Sequence, residues 1–272
     1  MSWFEAVILG LVQGLTEFLP ISSSAHILVL SQIFGWGDPG ATFTAVTQIG
    51  TELAVIIYFR RDIARIISTW GRSLVNPSLR SDHEAKMGWY VIIGTIPIAV
   101  LGLVFADQIE TVARNLWLTA AMLATFGLVL GACDALGSRT RSLQSLGARD
   151  AVLLGLAQAL ALIPGVSRSG ATISMGLARG YTREAATRYA FLLAIPAVLA
   201  SGLYEATKIG DEASVSWGPT IVATVIAFAV GYAVIAWLLR YLQTNSFLPF
   251  VIYRLGLAAL IVVLLLTGVL VA

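Results

Sequence analysis

Glu17, Ser23, His26 and Arg168 are the side chains whose types and spacing suit transfer of a group to or from an oxygen. Gln13 and Glu17 stand four apart, so a helix through them carries both on one face. Pro20-Ile21-Ser22-Ser23-Ser24 then interrupts that helix. Ser23 and His26, three apart, share a face of the arm that resumes. A carboxylate that can take a proton, a hydroxyl that can attack and an imidazole that can protonate a leaving oxygen therefore converge within about two helical turns of one bend. A second interruption, Pro164-Gly165-Val166-Ser167-Arg168-Ser169-Gly170-Ala171-Thr172, carries an arginine between two serines. Each resuming arm presents a helix N-terminus with free N–H groups and a positive dipole end. Two such ends with Arg168 between them make an anion site, and phosphate is the natural guest. Ser22, Ser24, Ser167, Ser169 and Thr172 add neutral donors, and Gln13 joins them as a substrate contact. The plainer alternative stands beside this one: the serines cap the arms, Glu17 and Arg168 form a buried ion pair, and His26 is an interior donor. Gln48 and Glu52, again four apart, place a further acid either in the same cavity or in the hydrated outer half of a helix.

These residues sit in a chain of 272 residues, 58% hydrophobic and 12% charged, with mean hydropathy +0.86. Soluble domains carry about 25% charge, so a soluble globular protein is excluded, as are disordered, collagen-like and coiled-coil chains. The 17 Lys and Arg are spread thinly and net charge is +2, which leaves no basic stripe for nucleic acid. The single cysteine, Cys133, reads as a small apolar side chain in a helix. His83 reads as a solvated loop histidine within a polar cytoplasmic loop, Gly71 to Lys86. No Lys or Arg precedes Arg60, so the N-terminal apolar stretch lacks the charged start of a signal peptide and is expected in the mature fold.

A membrane helix needs about 20 mostly apolar residues. Six segments qualify, at about 41–59, 88–106, 116–136, 187–204, 218–239 and 249–271. Two regions do not: Trp3 to Phe34, broken at 20–24, and Ala151 to about Ala178, broken at 164–170, each with a second arm too short to cross. Both read as re-entrant helical hairpins. Gly10-Leu11-Val12-Gln13-Gly14-Leu15 matches Gly155-Leu156-Ala157-Gln158-Ala159-Leu160, and both copies reach a proline and a Ser-rich turn once one gap is allowed. One hairpin followed by three spans, repeated, gives halves of about 1–150 and 151–272 within a single membrane domain. Because three is odd, the second hairpin enters from the opposite face. The expected fold is an all-α polytopic membrane protein with six transmembrane helices and two re-entrant hairpins in an inverted-topology repeat.

The positive charges agree with that layout. Arg60, Arg61, Arg65, Arg72, Arg80 and Lys86 lie in 60–87; Arg139, Arg141 and Arg149 in 137–150; Arg179, Arg183 and Arg188 after the second hairpin; Arg240 after the fifth span. The intervening connections hold only Arg114 and Lys208. All the rich regions fall on one side if both hairpins re-enter, which puts both termini outside.

At the two breaks the sequence resembles the bacitracin-resistance family of bacterial undecaprenyl-diphosphate phosphatases. Gln13-Gly14-Leu15-Thr16-Glu17-Phe18-Leu19-Pro20-Ile21-Ser22-Ser23-Ser24-Ala25-His26 and Pro164 through Thr172 are similar to its two signature motifs; Phe43 with Gln48-Ile49-Gly50 and Arg183 through Pro196 resemble it too. The resemblance implies hydrolysis of the terminal phosphate of a C55 polyprenyl diphosphate in the bacterial inner membrane, a divalent cation (Mg2+ or Ca2+), a site open to the periplasm, a role in peptidoglycan synthesis, and bacitracin resistance. The implied partners are that lipid substrate and the membrane lipid. It assigns function to Glu17, Ser23, His26 and Arg168. The chain departs from the family at Gln13, where glutamate is frequent, so a metal ligand there would be an amide oxygen or the duty would fall on Glu17. A secondary transporter or flippase of an anionic phospholipid or anion would also use broken helices in inverted repeats. It has no need of Ser23 beside Glu17 and His26. The topology predicts that a cysteine placed at Glu212 reacts with a membrane-impermeant maleimide from the periplasmic side; labelling only after the membrane is opened would reverse it.

Overall fold

The computed structural model describes residues 1–105, 108, 115–209 and 216–271, so Arg114 and the labelling position Glu212 lie outside the described residues. Eleven α-helices are described: α1 (Trp3–Thr16), α2 (Ser23–Ile33), α3 (Gly40–Tyr58), α4 (Arg60–Val75), α5 (His83–Val104), α6 (Leu116–Leu136), α7 (Ala148–Ala159), α8 (Arg168–Ala178), α9 (Arg183–Ala206), α10 (Trp217–Tyr241) and α11 (Leu248–Leu266). The other regular elements among the described residues are short 3-10 turns and one bridge between Arg141 and Tyr181. Helices α3, α5, α6, α9, α10 and α11 are long and apolar enough to cross a membrane. They match the six expected spans, with α5 and α9 starting earlier, so the chain is an all-α, multi-pass membrane protein.

The segment 60–87 is not the loop expected from its charge. Ile63, Ile66, Ile67 and Trp70 recur at the spacing of one helix face, and the chain folds them into α4 directly after Phe59. Trp70 lies against α5, where a Cβ on Gly88 would come within 2.8 Å of its ring. Asp62 accepts from Arg188 of α9 at 2.7 Å. The polar run after α4 is short, because Asp82 caps α5 through the Glu84 N–H (2.8 Å). His83 is thus the half-buried first residue of α5 and not a loop side chain.

Both interruptions are present as helix–break–helix units. Helix α1 starts on a reciprocal cap between Ser2 and Glu5 and ends at Thr16, before Pro20. Helix α7 runs into a 3-10 turn, Leu160–Leu162, before Pro164. The second arms, α2 and α8, have 11 residues each, too short to cross a bilayer. Ser22 and Ser167, immediately before those arms, take φ of 73° and 70°, a left-handed conformation that costs a non-glycine residue energy. Gln13 and Gln158 are separated along the chain as Ser22 and Ser167 are, so the two copies align here without the gap expected from the prolines. Ser167 caps its arm by accepting the Gly170 N–H at 3.2 Å, whereas Ser22 makes no side-chain cap.

The first arm of each unit packs against a span from the other half of the chain: α1 against α10, and α7 against α5. Glycine makes the approach possible. A Cβ on Gly10 would lie 2.6 Å from the Ala223 carbonyl oxygen, and one on Gly155 2.2 Å from that of Gly94. Helix α3 packs on α9 and α6 on α11. At the base of the second unit, Asp150 accepts from Arg141, Arg179 and the Tyr181 hydroxyl, each at 2.7 Å. Large apolar side chains such as Leu103, Leu136 and Leu266 are exposed, while Gln13, Glu52, Ser22, Thr172 and Arg254 are buried. This polar interior within an apolar exterior is the arrangement hydrocarbon demands of a protein with broken helices.

Gly155→Ala is expected to lower the stability of detergent-purified protein by about 3 kcal/mol, the cost of overpacking. Gly256→Ala, on an exposed stretch of α11 with nothing within 4 Å, gains helix propensity and loses nothing. Equal melting temperatures for the two variants would contradict the close α5–α7 contact.

Candidate active site

The last turn of α1 delivers Gln13 and Glu17 to the first break as an i,i+4 pair, with Gln13 Nε2 donating to Glu17 Oε2 at 2.7 Å. Chain reversal over residues 17–22 returns Ser23 to the same oxygen, and its hydroxyl donates to Glu17 Oε2 at 2.6 Å. The other carboxylate oxygen, Oε1, is bonded by the Arg168 guanidinium from the opposite break. Ser169 completes this junction by donating to the Leu19 carbonyl at 3.2 Å. Gln13, Glu17 and Ser23 of the first break and the distant Arg168 of the second are therefore one connected set.

Glu52 belongs to it as well. Helix α3 places its Oε1 3.7 Å from Arg168, with the side chain 1% exposed. Of the two positions its spacing allowed, it takes the interior one. Gln48, a turn earlier, accepts the Thr51 hydroxyl on its carbonyl. Glu17, Phe18, Glu52, Arg168, Ser169, Ala190, Phe191 and Ala194 surround a cleft of about 10 Å³, room for one water. Arg168 Nη2 lies within ion-pair distance of both carboxylates.

His26 is placed differently from the other candidates. Its Nδ1 lies 2.7 Å from the Ser22 carbonyl and its Nε2 2.7 Å from the Tyr253 hydroxyl. A carbonyl only accepts, so Nδ1 carries the proton; in the neutral ring Nε2 then receives the tyrosine O–H. The serine–carboxylate couple and the histidine–tyrosine couple thus flank the first turn of α2 as separate pairs. Ser22 and Ser24 hydroxyls lie 3.2 Å apart, as do those of Ser167 and Ser169. Thr172 turns back to donate to the Arg168 carbonyl at 2.9 Å.

Two buried oxygens beside this set have no hydrogen-bond partner: Gln13 Oε1 and Glu52 Oε2. With Glu17 they form a group of hard oxygen donors of the kind that suits Mg2+ or Ca2+. No cluster of three or more His, Cys, Asp or Glu exists among the described residues, so a cation held here takes two acids and an amide.

Sequence reasoning missed two neighbours on α11. Tyr253 carried no local signal. Arg254 did, because an arginine inside a predicted span is a functional residue by default. It is 0% exposed and donates to the carbonyls of Pro20, Gly165, Val166, Leu123 and Met122.

Residues 6–260, a range that includes both breaks and every side chain of the candidate site, match the family model described as bacitracin resistance protein BacA. The chain belongs to the BacA family. Relatives with nearly the same length include undecaprenyl-diphosphatase 2 of Streptomyces avermitilis, 58% identical across 99% of this chain and 97% of the relative. The undecaprenyl-diphosphatase of Micrococcus luteus is 60% identical across 99% of both, and that of a Nocardioides species 57% identical across the whole of both. The BacA family is the one the two break motifs resemble.

Removing the cation from this BacA-family site leaves buried acids uncompensated. Arg168→Met is expected to cost about 3–5 kcal/mol of stability, against about 1 kcal/mol for Tyr253→Phe. Thermal unfolding in detergent measures both; an Arg168→Met loss no larger than that of Tyr253→Phe would show that the pair is hydrated.

Proposed function

We propose that this chain hydrolyses undecaprenyl diphosphate to undecaprenyl phosphate and inorganic phosphate, recycling the lipid carrier for peptidoglycan synthesis and conferring resistance to bacitracin. The observation that carries this reading is the Glu17 carboxylate, which holds the Ser23 hydroxyl on one oxygen and Arg168 on the other. A base joined to a nucleophile and to a phosphate-binding cation is what phosphoryl transfer needs, and relatives of this chain are named for that reaction.

In this reading the two helix–break–helix units re-enter the membrane from opposite faces and the halves 1–150 and 151–272 form an inverted-topology repeat in one domain. The shared φ of Ser22 and Ser167, the matching serine pairs and the matching glycine contacts of α1 and α7 support it. Both termini and the mouth of the site face the periplasm of the bacterial inner membrane, and the polyprenyl tail leaves between helices into lipid.

The terminal phosphate takes Arg168 from Glu17 and Glu52, and the N–H groups opening α2 and α8 add neutral donors for the charge that develops on its oxygens. Freed of the guanidinium, Glu17 accepts the proton of Ser23, or of a water that Ser23 orients, as that oxygen attacks the terminal phosphorus and the bridging P–O bond breaks, so that undecaprenyl phosphate leaves; where Ser23 is the attacking group, water then cleaves the phosphoserine to release inorganic phosphate. His26, its tautomer set by the Ser22 carbonyl, assists proton transfer with Tyr253 beside it. Ser22, Ser24, Ser167 and Ser169 line the phosphate path, while Thr172 holds the Arg168 turn. A divalent cation would be held by Gln13 Oε1, Glu17 and Glu52, and would supply neutralisation of the diphosphate oxygens.

Phosphate release from undecaprenyl diphosphate by detergent-purified protein tests this reading. Activity is expected with Mg2+ or Ca2+ and lost in EDTA, and Arg168→Ala and Glu17→Gln are expected to lower it about 100-fold to 1000-fold. Undiminished turnover by Ser23→Ala would remove serine from the nucleophile role. No release with any cation would favour a flippase, the function the paired broken helices also suit.

A further inference from the structure

We infer that Arg254 is a positioning residue of the anion site, one buried guanidinium that holds the two breaks in register and sets how the N-termini of α2 and α8 face the ligand. The inference rests on the phosphatase reading for its kinetic test, but its geometry is independent of that reading. Arg254 lies in the spanning helix α11 and is 0% exposed. All its hydrogen-bond partners are backbone carbonyls, and no carboxylate pairs with it among the described residues. An unpaired charge so placed is costly, and a neutral amide or a water could have satisfied any single one of these carbonyls. What only arginine offers is a planar fork of five donors.

The fork is spent on both breaks at once. Nη1 donates to the Pro20 carbonyl at 3.0 Å and Nη2 to that of Gly165 at 2.9 Å. Pro20 stands two residues before Ser22, and Gly165 two before Ser167, so the bonded carbonyls occupy the same place in each break. Nη2 also reaches Val166 at 3.1 Å, while Nε fastens the stem to the Leu123 carbonyl of α6 at 3.0 Å. A Cβ on Gly170, in the first turn of α8, would meet Nη1 at 3.0 Å, so the guanidinium lies directly against that turn. In a trans peptide the C=O opposes the following N–H. Holding the Val166 carbonyl therefore turns the Ser167 N–H to the other side of the break. Arg254 draws the carbonyls of both turns to one side and ties them to the span α11.

The test compares kcat, KM and melting temperature for four full-length proteins in detergent. Arg254→Lys keeps the charge and loses the fork; kcat is expected to fall about 100-fold, the cost of a misplaced site, with KM within about threefold. Gly127→Ala, in α6, puts a methyl 3.3 Å from Arg254 Cβ and 3.5 Å from Nε. It presses on the stem while improving the helix, so an expected fall in kcat of about tenfold is not a loss of helix stability. Asp134→Asn, which loosens Arg183 and the start of α11 away from the breaks, serves as the destabilised control with kcat unchanged. Wild-type kcat from either Arg254→Lys or Gly127→Ala would overturn the inference. So would a fall in Asp134→Asn that matches Arg254→Lys at equal melting temperature. If Arg254→Lys does not fold, Gly127→Ala decides alone. If the wild type releases no phosphate, the phosphatase reading fails instead, and the inference is then decided by inorganic diphosphate: it should raise the melting temperature of the wild type and not of Gly127→Ala, and equal rises would overturn it.

Discussion

Backbone that leaves the helix inside a membrane protein must find its hydrogen bonds in protein, because hydrocarbon offers none. This chain breaks two helices and meets the constraint by setting the breaks against each other. Glu17 of the first holds Arg168 of the second, Ser169 returns a hydroxyl to the Leu19 carbonyl, and Arg254 collects the carbonyls that remain. The close packing of α1 on α10 and α7 on α5 is permitted by Gly10 and Gly155. Each half supplies what the other lacks.

The same junction that satisfies the backbone holds the groups that the proposed hydrolysis uses. A buried ion pair adds little stability over an apolar substitute, yet here it parks a cation and a base together in a cleft that excludes all but a water-sized guest. In the proposed reaction an incoming diphosphate takes the guanidinium and releases the carboxylate in one exchange. The two oxygens without hydrogen-bond partners, Gln13 Oε1 and Glu52 Oε2, are where the proposed divalent cation would be held.

Much of this was legible in the sequence where the signal is local. Six apolar runs of spanning length, two Ser-rich breaks and the i,i+4 and i,i+3 pairs around them located the spans and most of the site. What was not legible depended on tertiary placement. The isoleucines and Trp70 of α4 carried a clear helical period, but the arginines within and around them, Arg60, Arg61, Arg65 and Arg72, masked it as a polar loop. Glu52 left two readings open because its surroundings are set by how α3 packs on α9. Tyr253 is joined to His26 by a contact between residues 227 apart, which no local pattern reveals. Arg254 is the instructive miss: its position within an apolar span marked it, whereas the other scattered arginines were counted by side of the membrane.

The central claim is that the two breaks together bind the diphosphate and that Arg168 leaves Glu17 to do so. A structure of the protein with a non-hydrolysable, methylene-bridged diphosphate lipid tests it most directly. The account predicts the terminal phosphonate between the N-termini of α2 and α8, with Arg168 on its oxygens and Glu17 freed toward Ser23. A ligand bound elsewhere, with the Glu17–Arg168 pair intact, would contradict it.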